Sequence, residues 1–240
     1  MKNFQHKFST AAILSLTLLL GACSDDDDDE EMMVEPDPTP MPVNVSYEVS
    51  VTNLTYGQPM SPIGVALHSE GQLWMVGESA SAELEQMAEG GDNSALLALS
   101  VVNASASGDA PFGPGATQTV TVTIEDTTDS KLSLVSMLVN TNDAFTGLNA
   151  IDLASLAAGD SWTGYAGVYD AGTEANSEMA GTIPGPIDGG TGFDAARDDV
   201  DFVAMHPGVV SMDDGLATSV LTQAHRFDNP AVYITITRTE

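Results

Sequence analysis

The chain has 240 residues, 42% of them hydrophobic, and sets 35 acidic side chains against six basic ones for a formal charge of −29. That is length enough to bury a core, and a field of this sign repels nucleic acid and attracts cations, so no nucleic-acid partner is expected. A single cysteine excludes any internal disulfide.

Residues 1–22 read as a lipoprotein signal peptide. Lys2 and Lys7 form a positive start, Ala11 to Leu20 an apolar run too short to span a bilayer, and Leu20-Gly21-Ala22 a small-residue end before Cys23. The unique thiol stands where a bacterial lipoprotein signal places its lipidated residue, with an ordinary signal peptide as the blander alternative. Acyl chains contribute about 0.8 kcal/mol per buried methylene, so lipidation at Cys23 implies firm attachment to the membrane. Ser24 stands where an inner-membrane retention signal would have Asp, which points to the outer membrane of a bacterial cell envelope.

Residues 23–42 read as an acidic, proline-rich tether. Asp25 to Asp29 with Glu30 and Glu31 repel one another, and Pro36, Pro38, Pro40 and Pro42 stiffen the approach to the fold. From Val43 the pattern changes. Val45, Tyr47, Val49 and Val51 alternate with polar residues, the period-two mark of a half-buried strand. Ile63 to His68 follows as a second strand, and Ser79 to Met87 reads as a helix stopped by Gly90-Gly91. Ala95 to Val102 fits helix or strand. Asn103 to Ala116, rich in Gly, Ala, Ser and Pro, reads as a loop. Gln118 to Ile124 alternates again, Glu125 to Ser130 turns, and Lys131 to Val139, Leu148 to Leu153 and Ser161 to Tyr169 read as strands. Ala231 to Thr237 closes the chain with Val232, Ile234 and Ile236 on one side. Residues 43–240 therefore read as one all-β domain, an antiparallel β-sandwich with one or two short helices.

Two apolar runs break off into turns that carry acids: Asn140-Thr-Asn-Asp143 and Tyr169-Asp170-Ala-Gly-Thr-Glu174. If successive strands run up, down and up, both turns emerge at one end of the sheet. Asp143, Asp170 and Glu174 would then offer three carboxylates to calcium, which takes six to eight oxygens at roughly 2.3–2.6 Å. Gly172 permits the positive φ that wraps backbone around an ion. The oxygen-only donor set disfavours zinc and copper. The competing reading is that Asp143 and Asp170 are turn residues bonding their own backbone.

The segment Ser136 to Gly147 with Tyr169 to Glu174 resembles the spondin N-terminal domain family, whose members carry a Val-Pro-Ser-Pro-Asp-Trp-Phe-Val-Gly turn and a Tyr-Asp-Ala-Gly-Thr-Asp turn. The resemblance extends over Val45 to Arg238. It implies an eight-stranded, C2-like β-sandwich holding calcium through Asp143, Asp170 and Glu174. Ala144 stands in place of the family's tryptophan, Asn140 and Asn142 in place of its prolines, and Glu174 in place of an aspartate. The disulfides of the animal members are absent, and their integrin or matrix binding is not carried over.

His68, His206 and His225 are widely separated, with no paired spacing for a hydrolytic metal site. No Gly-x-Ser-x-Gly elbow is present. Trp74, Trp162 and Tyr165 fit either a sugar-stacking platform or core packing. The expectation is therefore a lipid-anchored, non-catalytic binding or adhesion module of the cell envelope, recognising an envelope or extracellular ligand. The alternatives are a secreted hydrolase of polysaccharide or ester, and a structural domain with no specific ion.

Overall fold

The computed structural model describes residues 43–125 and 131–240. The segments expected to be a signal peptide and a tether, Cys23 between them, and most of the turn expected over Glu125 to Ser130 lie outside the described residues.

Among the described residues ten antiparallel strands form two sheets. The first runs in the order β4 (Thr117–Glu125), β1 (Asn44–Asn53), β10 (Val232–Arg238), β7 (Ser161–Ala166). The alternation of β1 does what the pattern predicts. Val45, Tyr47, Val49 and Val51 enter the core, while Ser50 and Thr52 face outward and meet the hydroxyls of Thr119 and Thr117 at 2.7 and 2.8 Å. Such cross-strand hydroxyl pairs are a unit of sheet stabilisation.

The second sheet runs β3 (Ala104–Ser107), β2 (Gly64–His68), β5 (Lys131–Met137), β6 (Ala144–Asp152), β8 (Val168–Asp170), β9 (Ala204–Met205). Its central strands are covered on both faces. One face packs against the first sheet through Val65, Leu67, Leu132, Leu134 and Ala144. The other carries Ala66, Val135, Met137 and Phe145 against helix α1 (Ala82–Gly90) and short helix α2 (Ser94–Leu97). Burial on both faces accounts for the absence of polar alternation in β5, in which every residue after Lys131 is buried, Ser133 and Ser136 included. Helix α1 is capped by Ser81, whose hydroxyl accepts from the Leu84 amide at 3.2 Å, and ends at Gly91 with φ of 71°.

Several elements differ from the expectation: β6 begins at Ala144 and not Leu148, β9 was not expected, and three further changes follow. Ala104–Ser107, read as loop, is β3 and pairs with β2, because its small residues suit a sheet edge. The ambiguous stretch from Ala95 is mostly turn, with only the single helical turn of α2. The strand expected over Ser161 to Tyr169 is two strands in different sheets: β7 pairs with β10, and after Gly167 the chain crosses so that β8 pairs with β6. The Asn229 side chain holds the crossing, accepting from the Val168 amide at 2.8 Å. Such a sheet switch leaves no mark in local periodicity. The ten strands among the described residues exceed the eight that the family resemblance implies, the shortest being β9 with two residues.

Phe145, the second residue of β6, stacks on Tyr169 at 5.3 Å and meets Trp74 edge-on at 5.2 Å. Phe145→Ala should cost about 3–5 kcal/mol through lost transfer energy and a cavity. Urea unfolding should show this as a lower midpoint with an unchanged m-value.

Candidate cation site

The sheet brings the two turns together. Ala144 at the start of β6 pairs with Asp170 at the end of β8, and the Ala171 amide donates to the Asp143 carbonyl at 3.3 Å. Asp143, just before β6, and Asp170, the last residue of β8, therefore lie at one end of the sheet, although the second strand is β8 and not one long element.

The first turn is fixed from within and without. Thr141 donates its hydroxyl to the Leu138 carbonyl at 2.6 Å and accepts from the Ala144 amide at 3.1 Å. Asn142 donates to the Thr182 hydroxyl at 3.1 Å and to Glu174 Oε2 at 3.4 Å, and accepts from the Glu178 amide at 3.3 Å. Asn140 accepts from the Ile187 amide at 3.3 Å. Asn140 and Asn142 thus fasten the loop over residues 174–187.

Asp143 is fully buried. Its Oδ2 accepts from the Thr173 amide at 2.9 Å, the Glu174 amide at 3.2 Å and the Thr173 hydroxyl at 3.3 Å. These donors lie some thirty residues away, so Asp143 is not a turn residue serving its own backbone. Its Oδ1 has no hydrogen-bond partner. Burial, reinforced by the charge of Asp170, lifts its carboxyl to about 7 in spite of the three donors. Asp170 does show the local turn behaviour: its Oδ1 accepts from the Gly172 amide at 2.8 Å. Gly172 has φ of +70°, and a Cβ there would run into the Phe202 backbone, so only glycine serves. Asp170 Oδ2 accepts from Asn176 Nδ2 at 2.6 Å and lies 4.0 Å from His206 Nε2.

His206, set aside in the sequence as ordinary, is buried behind Asp170. Its Nδ1 accepts the Gly208 amide at 3.0 Å, so Nε2 carries the proton and donates to Asn176 Oδ1 at 3.1 Å. Burial holds the ring below its usual range, and the imidazole is a neutral prop for the Asn176–Asp170 contact. Glu174 is half-buried. Burial, the neighbouring Glu89 and, more weakly, Asp143 and Asp198 lift it to about 8.

This donor set is all oxygen, among the described residues no lysine or arginine pairs with it, and the unpartnered Asp143 Oδ1 is what a hard divalent ion would satisfy. Among the described residues no three carboxylate or imidazole groups already form a metal-ligating set. Loading therefore requires side chains to close in; among the described residues the Glu174 carboxylate accepts one hydrogen bond, from Asn142 at 3.4 Å.

Elsewhere, His68 Nε2 lies 2.9 Å from Ser133 Oγ, but both residues are fully buried and Ser133 Oγ also accepts the Ala150 amide, so the pair ties strands together. Trp74 is buried in the second core, Trp162 packs against the first, and Tyr165 is 63% exposed beside Tyr233. No protein-family model matches the chain and no curated protein is found similar to it.

The two elevated carboxyls set a pH dependence. Unfolded, they titrate near 3.8 and 4.5; folded, near about 7 and about 8. Their contribution to stability is complete below the unfolded values and is lost as pH rises through the folded ones. In chelator, the melting midpoint should fall between about pH 4 and about pH 8. Asp143→Asn should flatten that fall, as followed by circular dichroism.

Proposed function

We propose that the chain is a lipid-anchored binding module of the bacterial cell envelope, non-catalytic, whose loop end is fastened by a calcium ion held by Asp143, Asp170 and Glu174. The observation that carries this reading is the fully buried Asp143 carboxylate, with one oxygen bonded three times and the other unpartnered beside a second acid. Burying like charges without a counterion is costly, and a divalent cation inverts that balance. The turn motifs shared with spondin N-terminal domains support the same ligand set.

In this reading the ion joins β6 to β8 and the loop that follows, and so fixes the surface those loops present. That surface carries exposed apolar side chains, among them Phe193, Val200 and Phe202, which favours recognition of an envelope or extracellular ligand over chemistry. Cys23, lipidated, would hold the module at the outer membrane through the acidic tether.

An ion that binds only the folded state stabilises by RT ln(1 + [L]/Kd), about 2.7 kcal/mol at one hundred times Kd. Calcium should raise the melting midpoint of the wild-type protein, and Asp170→Asn should remove most of that rise. An unchanged rise in the variant, read by scanning calorimetry, rules out the assignment.

A further inference from the structure

We propose that Glu89, near the end of α1, is a further ligand of the same cation, so that the ion ties the helix to the two acid-bearing loops. The inference rests on the calcium reading of Asp143, Asp170 and Glu174 and adds a residue from outside both turns.

Glu89 has no solvent exposure. Its Oε2 accepts from the Asp194 amide at 2.9 Å, and its Oε1 has no partner. The Thr173 hydroxyl, which contacts Asp143 Oδ2, also neighbours the Glu89 carboxylate. The charge of Glu89 also bears on Glu174 more strongly than that of any other group. Two buried carboxylates with an unpartnered oxygen each, Asp143 and Glu89, thus flank Thr173, with Glu174 next in the chain.

Apart from the Asp194 amide and the Thr173 hydroxyl, the surroundings oppose a charged glutamate in this place. Burial disfavours its charge, and it sits in the last turn of a helix, where the macrodipole favours cations and α1 supplies none. Glu85 lies one turn back with the same sign. Arg197 neutralises Glu85, with contacts of 2.9 and 2.6 Å to Glu85 Oε2, and pairs also with Asp201. Among the described residues no ion pair reaches Glu89. A divalent ion supplies the missing positive charge and occupies the free oxygen. A fourth carboxylate also suits calcium, whose affinity rises with ligand charge.

The test is calorimetric titration of calcium into chelator-stripped wild type, Glu89→Gln, Glu89→Asp, Glu83→Gln and Asp170→Asn, with melting curves of each. Glu89→Gln keeps an acceptor for the Asp194 amide. It should weaken calcium binding by roughly tenfold or more while its metal-free midpoint equals or exceeds that of wild type. Glu89→Asp keeps the charge but shortens the reach, and should weaken binding too. Glu83→Gln removes the same charge from a more exposed site on α1 and should stay within about twofold of wild type. Wild-type affinity in both Glu89 variants, with binding lost in Asp170→Asn, overturns the role of Glu89 and leaves the calcium reading intact. A loss in Glu89→Gln no larger than in Glu83→Gln overturns it as well, as a field effect. No binding by wild type overturns both.

Discussion

The structure turns on a carboxylate placed where water cannot reach it. Asp143 has three donors on one oxygen and none on the other, and Asp170 on the adjacent strand adds a like charge. Three hydrogen bonds to one oxygen offset part of the desolvation and none of the repulsion. Each surrounding device holds this arrangement in position: the Thr141 turn, the Asn140 and Asn142 contacts to the following loop, and the Asn176–His206 prop behind Asp170.

The sandwich makes the arrangement possible. With β6 and β8 antiparallel neighbours, the start of one and the end of the other share an edge, so two turns distant in sequence meet without a dedicated connection. Helix α1 packs on the outer face of the same sheet and brings Glu89 to the same end. The rigid part of the molecule thus supplies geometry, and the loops over residues 171–205 supply the surface. A cation at their junction would couple the two, which is why binding, and not chemistry, is the reading favoured here.

Much of the fold was legible in the chain because its signals are local. The alternation of β1 and β10, the doubly buried run of β5 and the stop at Gly90-Gly91 each follow from one element's own burial or capping. The break of the expected Ser161–Tyr169 strand into β7 and β8 was not legible, since the Asn229 contact that holds the crossing is sixty residues away in sequence. At the site, the turn motifs marked Asp143, Asp170 and Glu174. Glu89 and His206 carried no motif; only burial against partners distant in sequence distinguishes them from the many other acids and the other histidines. One signal for Glu89 was present, a glutamate in the last turn of a helix with no basic residue beside it.

The most direct test is calorimetric titration of calcium into the stripped wild-type protein in high sodium, where diffuse attraction to an acidic surface is screened. The account predicts one site per chain, saturating at one mole of ion and persisting as salt is raised. Heat that is absent, or spread over many weak sites that fade with sodium, would contradict it.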